Sequence, residues 1–122
     1  MHLNCVAALD LRLQAETADT EWAGATLTSL GAQSPTSLKT TLQMLLRGAE
    51  LGLGDCLRME FDVCQNLVGN TGSDFYEGVR SVLVDKDRDP TWPGGATAND
   101  VDDVKVEALF AHIPNRLELP KL

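Results

Sequence analysis

The sequence predicts an all-α protein of five to six short helices. Apolar residues recur at helical spacing in several segments, and helix start and stop signals separate these segments. Strand signals are weak, because sustained alternation of apolar and polar residues and Asn-Gly hairpins are absent from the sequence. We therefore expect a single helical unit over residues 1–122, in which helices close in sequence pack against one another.

The first two helices are predicted near residues 3–14 and 20–31. Leucine and valine residues recur along the first segment with a moderate helical phase. Asp19 or Thr20 can cap the second helix, because a short polar side chain satisfies a free N–H group in the first turn. Gly31 is expected to end it.

The third helix, near residues 35–50, has the clearest signals. Ser34 is a favourable N-cap, and Pro35 suits the first helical position because the N–H group it lacks would have no partner there. Apolar residues then follow at i, i+4, i+7, i+8 and i+11, which is one face of a helix; they are Leu38, Leu42, Leu45, Leu46 and Ala49. Gly52 and Gly54 separate this helix from the next.

The fourth helix is predicted near residues 53–69. An apolar stripe runs along it through Leu53, Cys56, Leu57, Phe61, Cys64, Leu67 and Val68. Glu60 falls on the same stripe, and a carboxylate buried there must be paired because burying it alone is costly. Glu60 is therefore either a general acid or base, or a structural anchor that pairs with Arg80 or with helix N–H groups. The lack of a second polar residue in the pattern favours the anchor.

The fifth helix is predicted near residues 75–87. Asp74 and Glu77 have the spacing of a capping box, in its acidic variant. Pro90 ends the helix, since the residue before a proline avoids the helical region. The apolar side chains expected to point inward are Phe75, Val79, Val82 and Leu83.

The sixth helix is predicted near residues 100–111, with Asn99 or Asp100 as its cap. Acidic residues at this point favour a helix N-terminus over a metal site, because they complement the helix dipole. The acidic run that begins at Asp85 resembles the start of a calcium loop. The glycine and glutamate that such a loop needs at positions six and twelve are replaced by Pro90 and Ala96. We expect no metal site and no cofactor.

Charge and cysteine usage exclude several functions. Ten Lys and Arg residues stand against 18 Asp and Glu residues, which gives a net charge of −8. This balance argues against nucleic-acid and anionic-membrane partners, and no apolar run approaches the ~20 residues of a membrane span. The odd number of cysteines, without Cys-x-x-Cys spacing, favours buried structural thiols in a reducing compartment; they are Cys5, Cys56 and Cys64.

Two segments carry more than periodicity. Residues 34–42 and 74–87, the latter followed by Pro90 and Trp92, occur in this order with residues 57–60 between them. Together they closely resemble the C-terminal part of 3-hydroxyisobutyryl-CoA hydrolases, a branch of the enoyl-CoA hydratase (crotonase) superfamily. The likeness covers roughly residues 3–110.

The resemblance implies a reaction for which this chain supplies only part of the protein. In that family the crotonase core lies upstream and supplies both the oxyanion-binding N–H groups and the catalytic carboxylates. We therefore expect a C-terminal helical segment with no catalytic residues of its own. It would act in hydrolysis of 3-hydroxyisobutyryl-CoA in valine catabolism and meet its acyl-CoA substrate through the missing core. The isolated chain is expected to be inactive.

Two other functions stay open at this point. The chain could be a stand-alone helical interaction or oligomerisation module, whose exposed apolar helix faces would form a homo-oligomer. It could also be a segment of an enoyl-CoA hydratase or isomerase of the same superfamily.

The resemblance also assigns individual residues and a compartment. Lys86 matches a position that meets the adenine and phosphates of coenzyme A, although a solvated helix end explains it equally well. Glu77, Gly78 and Arg80 are expected to be structural, with Gly78 allowing close approach of a neighbouring element. The family implies a mitochondrial location. The tail at residues 120–122, Pro-Lys-Leu, is similar to the Ser-Lys-Leu signal and leaves a peroxisomal or glycosomal location as the alternative.

Overall fold

The computed structural model describes residues 5–114. Six α-helices follow one another: α1 (Cys5–Gln14), α2 (Thr20–Gly31), α3 (Pro35–Gly48), α4 (Leu53–Gly69), α5 (Asp74–Val79) and α6 (Asp103–Ala108), and a π-helical turn (Arg80–Val84) continues α5. No strand occurs within residues 5–114. The prediction of an all-α fold is therefore confirmed.

Local capping explains where the early helices begin. The Asp19 carboxylate accepts a hydrogen bond of 2.9 Å from the Trp22 N–H group at the start of α2. Ser34 accepts one of 3.0 Å from the Ser37 N–H group at the start of α3, where Pro35 is the first helical residue. Each bond satisfies one of the free N–H groups of a first turn.

The predicted cap of the last helix is wrong. Asp102 caps α6, and its side chain accepts from the Val104 N–H group at 2.9 Å. Asp100 instead accepts from the N–H and hydroxyl groups of Thr97, at 2.9 and 2.8 Å. Its carboxylate is used to build the turn before the helix, so α6 begins three residues later than predicted.

The fifth helix also differs from the prediction. It ends at Val79, continues as the π-helical turn to Val84, and does not extend to residue 87. Ser73 is its N-cap and makes no capping bond with its side chain. The predicted capping box is thus wrong, because both carboxylates bind other groups. Asp74 accepts from Ser34 and Gly94, and Glu77 accepts from Arg80 and the Thr91 N–H group.

Most packed helix pairs are neighbours in sequence, and α3 contacts more helices than any other. Helix α1 contacts α2 and α3, α3 also contacts α4 and α6, and α4 contacts α5. Among the described residues, the buried apolar side chains are few: Leu13, Ala23, Val63, Val101 and Val106. Most of the large apolar side chains that the structure describes are exposed or half-buried. The fold therefore has a small core and an open surface.

Several residues that were predicted to face inward lie on this surface. Phe75, Val82 and Leu83 are 45%, 54% and 66% exposed. The remaining large exposed apolar residues are Leu9, Leu11, Trp22, Leu45, Leu46, Leu51, Leu53, Leu57, Val68, Tyr76, Val84 and Val104. The apolar periodicity was correct, but much of the apolar surface has no neighbour within the described chain.

Helix α4 turns a different face inward from the one predicted. Val63 and the polar Asp62 are buried on it, whereas Glu60 and Cys64 are exposed. The interpretation of Glu60 as a buried anchor or a buried acid is therefore wrong, because water solvates its carboxylate. The prediction of buried thiols is also wrong for Cys64, while Cys56 is half-buried. The side chain of Cys5 lies outside the described part of the chain.

No helix within the described residues combines the length and the apolar character that a membrane span requires.

Candidate functional site

The guanidinium group of Arg80 is the centre of a charged cluster at the end of α5. It donates two hydrogen bonds to the Glu77 carboxylate, at 2.8 and 2.9 Å. It also donates to the carboxylates of Asp85 and Asp87, at 2.7 and 2.6 Å, and to the backbone carbonyl of Asp89 at 3.2 Å. We call these five residues the Arg80 cluster. Arginine suits this role because its planar fork presents five donors.

The cluster shifts the pKa values of its members. The hydrogen bond from Arg80, followed by that from the Thr91 N–H group, lowers the pKa of Glu77 to about 2. The same guanidinium lowers the pKa of Asp87, and the three carboxylates raise the pKa of Arg80. The acidic run after the helix, which resembles the start of a calcium loop in the sequence, thus has a structural use. Two of its carboxylates fasten the chain where it leaves the π-helical turn.

Lys86 lies in the turn that the Arg80 cluster holds. Its φ of 59°, like the 56° of Arg88, is in the left-handed region that side chains rarely adopt. The Arg88 N–H group donates to the Ser81 carbonyl at 3.0 Å and closes the turn. The Lys86 side chain is exposed and has neither a hydrogen bond nor an ion pair within the described residues. Its ammonium group is therefore free to meet a ligand.

Gly78 lies against an aromatic ring. A methyl group at this position would be 3.7 Å from the Trp92 ring, which is ordinary van der Waals contact. Trp92 therefore approaches the helix closely here, and an alanine would fit without a clash.

A second polar centre, around Asp74, joins the two sequence segments that carry the family resemblance. The buried Asp74 carboxylate accepts from the Ser34 hydroxyl at 2.5 Å and from the Gly94 N–H group at 2.7 Å. These bonds connect the starts of α3 and α5 with the loop before α6. No local signal predicts this pairing, because Ser34 and Asp74 are 40 residues apart in the sequence.

Lys39 is a further residue that sequence reasoning missed. It is buried and donates from Nζ to the Val101 carbonyl and to Asp103, each at 2.8 Å. These two bonds tie α3 to α6. Thr36 belongs to the same segment, residues 34–42. It lies beside Gly94 and lines a cavity between α3, α4 and α6.

Another cavity, of about 590 Å³, lies between the end of α3 and the chain after α6. Arg47 stacks on the Phe110 ring, with its guanidinium carbon 3.9 Å from the ring centre. The exposed His112 approaches the buried carboxylate of Asp62 at 3.3 Å. Within the described residues, no group of three or more His, Cys, Asp or Glu side chains could hold a metal ion.

Comparison with known proteins places this fold and these centres in a family. The family model described as enoyl-CoA hydratase/isomerase matches residues 3–110, and the chain belongs to this family. Curated relatives are named more narrowly. The chain is 41% identical over 91 residues to 3-hydroxyisobutyryl-CoA hydrolase-like protein 5 of Arabidopsis thaliana, which covers 74% of the chain and 23% of that protein.

Two further relatives have similar names and coverage. The mitochondrial 3-hydroxyisobutyryl-CoA hydrolase of Dictyostelium discoideum is 38% identical over 102 residues, which are 83% of this chain and 26% of that protein. The mitochondrial enzyme of the same name from Gallus gallus is 43% identical over 89 residues, 73% of this chain and 22% of that protein. The resemblance recognised in the sequence is confirmed. The chain spans about a quarter of the length of these relatives.

Proposed function

We propose that this chain is the C-terminal helical part of a 3-hydroxyisobutyryl-CoA hydrolase that acts in valine catabolism. The observation that carries the proposal is the likeness to relatives named 3-hydroxyisobutyryl-CoA hydrolase, of which the chain spans about a quarter. The open surface supports it, since 15 large apolar side chains of the described residues are exposed and a covering polypeptide would bury them.

The reaction needs groups that the Arg80 cluster does not offer in a free state. In thioester hydrolysis, water adds to the acyl carbon and the C–S bond breaks, and the thiolate of coenzyme A takes up a proton. Such chemistry requires N–H donors for the acyl oxygen and a carboxylate free to accept a proton from water. The carboxylates of Glu77, Asp85 and Asp87 are bound to Arg80. We therefore assign the catalytic groups to the remaining polypeptide, and expect the isolated chain to be inactive.

Lys86 is the residue of this chain that we assign to coenzyme A. An ammonium group binds phosphate as a point charge. That of Lys86 is exposed, makes no ion pair with the described residues, and lies on a turn fixed by Arg80. The position fits a contact with the phosphates of the ligand. Glu77, Arg80 and Gly78 then act by shaping the turn and the helix that precedes it.

A chimera tests the proposed function. The region of the Dictyostelium discoideum hydrolase that aligns with this chain is deleted, or replaced by residues 3–110, and release of coenzyme A from 3-hydroxyisobutyryl-CoA is followed. We expect turnover by the chimera and none by the deletion variant. The isolated 122-residue chain should not exceed a buffer blank. Turnover by the isolated chain, or a soluble and folded chimera without turnover, would contradict the proposal.

The same chimera tests Lys86. We expect Lys86→Ala to raise KM for the CoA thioester several-fold with little change in kcat, since the contact is made equally in the ground and transition states. Lys86→Arg keeps the charge and should restore most of the affinity. Arg12→Ala, which removes an exposed charge on α1, serves as the matched control. An unchanged KM in Lys86→Ala would refute the assignment.

The alternatives give different outcomes in these experiments. A segment of a hydratase or isomerase would yield a chimera that converts an enoyl-CoA without releasing coenzyme A. A stand-alone interaction module would leave the chimera inactive, while the isolated chain forms a defined oligomer in sedimentation.

We also propose a mitochondrial location, which is the one in the names of the Dictyostelium and Gallus relatives. The tail at residues 120–122 lies outside the described residues. Imaging of the full gene product, with residues 120–122 intact or deleted, tests this location. Loss of a peroxisomal or glycosomal signal on deletion would overturn it.

A further inference from the structure

The π-helical turn at Arg80–Val84 changes the register of the helix that precedes it. The Arg80 carbonyl accepts from the Asp85 N–H group at 2.8 Å, five residues along the chain, whereas a regular α-helix joins residues four apart. Turns of this kind are rare in proteins and are found frequently at functional sites. This turn therefore invites the question of what it positions.

The extra residue in the turn redirects the chain that follows it. One added residue rotates the following chain by about 100°, the rotation per residue of an α-helix. The Arg88 N–H group then donates to the Ser81 carbonyl at 3.0 Å. Lys86 lies between Asp85 and Arg88, at a φ of 59°. The π-helical turn therefore determines where the backbone of Lys86 lies.

One side chain, that of Arg80, holds both sides of this turn. Before the turn, its guanidinium group bonds to the Glu77 carboxylate on α5, at 2.8 and 2.9 Å. After the turn, it bonds to Asp85 at 2.7 Å and to Asp87 at 2.6 Å. These two aspartates stand directly before and after Lys86 in the sequence. Lys86 is thus fixed between two residues that the same guanidinium group binds.

The chain beyond the turn is also fastened to α5. The Thr91 N–H group donates to the Glu77 carboxylate at 2.7 Å, and the Gly94 N–H group donates to the Asp74 carboxylate at 2.7 Å. The loop after the turn therefore runs back along the helix. Because both ends of the turn are held, its shape depends on the bonds made inside it.

The positive charge of Arg80 alone does not account for these bonds. Nε and Nη2 bond to Glu77, whereas Nη1 bonds to Asp85 and Asp87. A guanidinium group presents five donors in a rigid planar fork, but an ammonium group presents three donors on one nitrogen. A lysine at this position would keep the charge and lose the ability to hold both sides of the turn.

We propose that Arg80 is a positioning residue, which acts through Lys86 by holding the turn in the shape that presents the Lys86 ammonium group to coenzyme A. This inference rests on the proposed function, in which Lys86 binds coenzyme A. It requires an energetic coupling between the two residues. Arg80 then matters for substrate binding only while Lys86 is present, whereas a residue that merely stabilises the fold would matter equally in its absence.

The test is a double-mutant cycle in the chimera with the Dictyostelium discoideum hydrolase. We expect Arg80→Lys to raise KM for the CoA thioester several-fold with little change in kcat. In the Lys86→Ala background, the same substitution should change KM by less than about 1.5-fold, because the contact is already lost. Arg58→Lys, at an arginine that pairs with Asp55 at 2.8 Å, is the matched control and should leave KM unchanged in both backgrounds.

A second measurement needs no coenzyme A. Amide hydrogen exchange is followed in the full 122-residue chain, with the buried Val63 as the reference for global unfolding. Relative to Val63, Arg80→Lys should speed exchange of the Asp85 and Arg88 N–H groups about fivefold or more, because these bonds open with the turn. Arg58→Lys should leave both rates unchanged.

Two results would overturn the inference. An equal rise of KM in both backgrounds would mean that Arg80 acts independently of Lys86. Unchanged exchange at Asp85 and Arg88 would mean that Arg80 does not hold the turn, whether or not the chimera is active. A parent chimera without turnover contradicts the proposed function, and the exchange rates then still decide on the turn. If Arg80→Lys does not fold, Glu77→Gln removes the partner of Nε and Nη2 and should give the same pattern.

Discussion

One buried carboxylate, Asp74, connects the segments by which the family is recognised. Glu77 follows it by three residues, which is the spacing of a capping box. The local pattern therefore assigned Asp74 and Glu77 to the start of α5. In the structure Asp74 accepts from Ser34 and Gly94 instead. Local spacing could not reveal these partners, since they lie 40 and 20 residues away in the sequence. The residue type was thus identified, and its role was not.

Replacement of Asp74 should destabilise the chain strongly. Asp74→Ala leaves the buried Ser34 hydroxyl and the Gly94 N–H group without an acceptor, so we expect a loss of about 2–4 kcal/mol in the free energy of unfolding. Asp74→Asn keeps one acceptor oxygen and should lose less. Urea denaturation monitored by circular dichroism measures both values.

The control for Asp74 is an exposed carboxylate. Asp55 pairs with Arg58 at 2.8 Å and its side chain is 62% exposed. Asp55→Ala should therefore cost no more than about 1 kcal/mol. If Asp74→Ala were as mild as Asp55→Ala, the proposed structural role of Asp74 would be refuted.

Glu77 should make the stability of the chain depend on pH in the acid range. Arg80 and the Thr91 N–H group lower the pKa of Glu77 from 4.5 to about 2 in the folded chain. As pH falls from about 4.5 toward 2, the unfolded chain takes up this proton before the folded chain does, which favours unfolding. The stabilisation by Glu77 is thus fully present above pH 4.5 and is lost as pH approaches 2.

Glu77→Gln tests this dependence. At pH 6 the variant should unfold at a lower urea concentration than the parent chain, and the gap between the two midpoints should narrow at pH 3. Glu50→Gln, on an exposed glutamate, should show no comparable change of the gap with pH. A gap of constant size between pH 6 and pH 3 would argue against the shift.

At the scale of elements, local chemistry predicts a helix well where the capping bond survives in the folded chain. Ser34 and Pro35 placed the start of α3 correctly for this reason, since the Ser34 oxygen accepts from the Ser37 N–H group even while its hydroxyl donates to Asp74. The end of α5 was not predictable in the same way, because Arg80 binds carboxylates that follow the helix and holds Lys86 at positive φ. Periodicity also failed to orient α4, since it finds an apolar stripe but does not say what covers it.

Two glycines in contrasting surroundings should respond in opposite directions to the same change. Gly24 lies within α2 and a Cβ there would meet nothing within 4 Å. Gly24→Ala should therefore stabilise the chain by up to about 1 kcal/mol, the difference in helix propensity. At Gly94 a Cβ would lie 2.1 Å from Thr36 Oγ1, and Gly94→Ala should cost about 1–3 kcal/mol.

Thermal unfolding of the two alanine variants measures these effects. The midpoint should rise for Gly24→Ala and fall for Gly94→Ala. A fall in both would mean that Gly24 has a role in packing that the described residues do not explain. No fall for Gly94→Ala would mean that the loop before α6 is free to shift.

At the scale of the whole molecule, composition and charge argue against some classes of partner, but they could not show how few apolar side chains are buried among the described residues. The pattern of apolar residues is that of a globular helical protein. Few apolar side chains are buried among the described residues, which is what we expect if the chain lies against further polypeptide, as proposed above. A sequence pattern marks which residues avoid water, and the identity of their neighbours depends on the chain that completes the fold.

The apolar groove on α5 and the π-helical turn allows a test of this incompleteness. Phe75, Val82 and Leu83 line it together with Trp92, and Leu83 is 66% exposed. We expect the isolated chain to bind a dye that fluoresces on apolar surface and to self-associate in sedimentation. Leu83→Glu should lower both, because a charge in the groove opposes apolar contact. Leu11→Glu, at a leucine on α1 that is 65% exposed, should lower them less.

Leu83→Glu should have the opposite effect in the chimera with the Dictyostelium hydrolase, where it should be harmful. If the remaining polypeptide covers the groove, Leu83→Glu buries an unpaired charge there, which is strongly unfavourable. The chimera should then lose thermal stability and turnover, although the isolated chain became better behaved. A chimera that tolerates Leu83→Glu as well as Leu11→Glu would show that the groove remains open in the complete protein. The groove would then be a surface for a separate partner, and the covering polypeptide would have to lie on the other exposed leucines of α3 and α4.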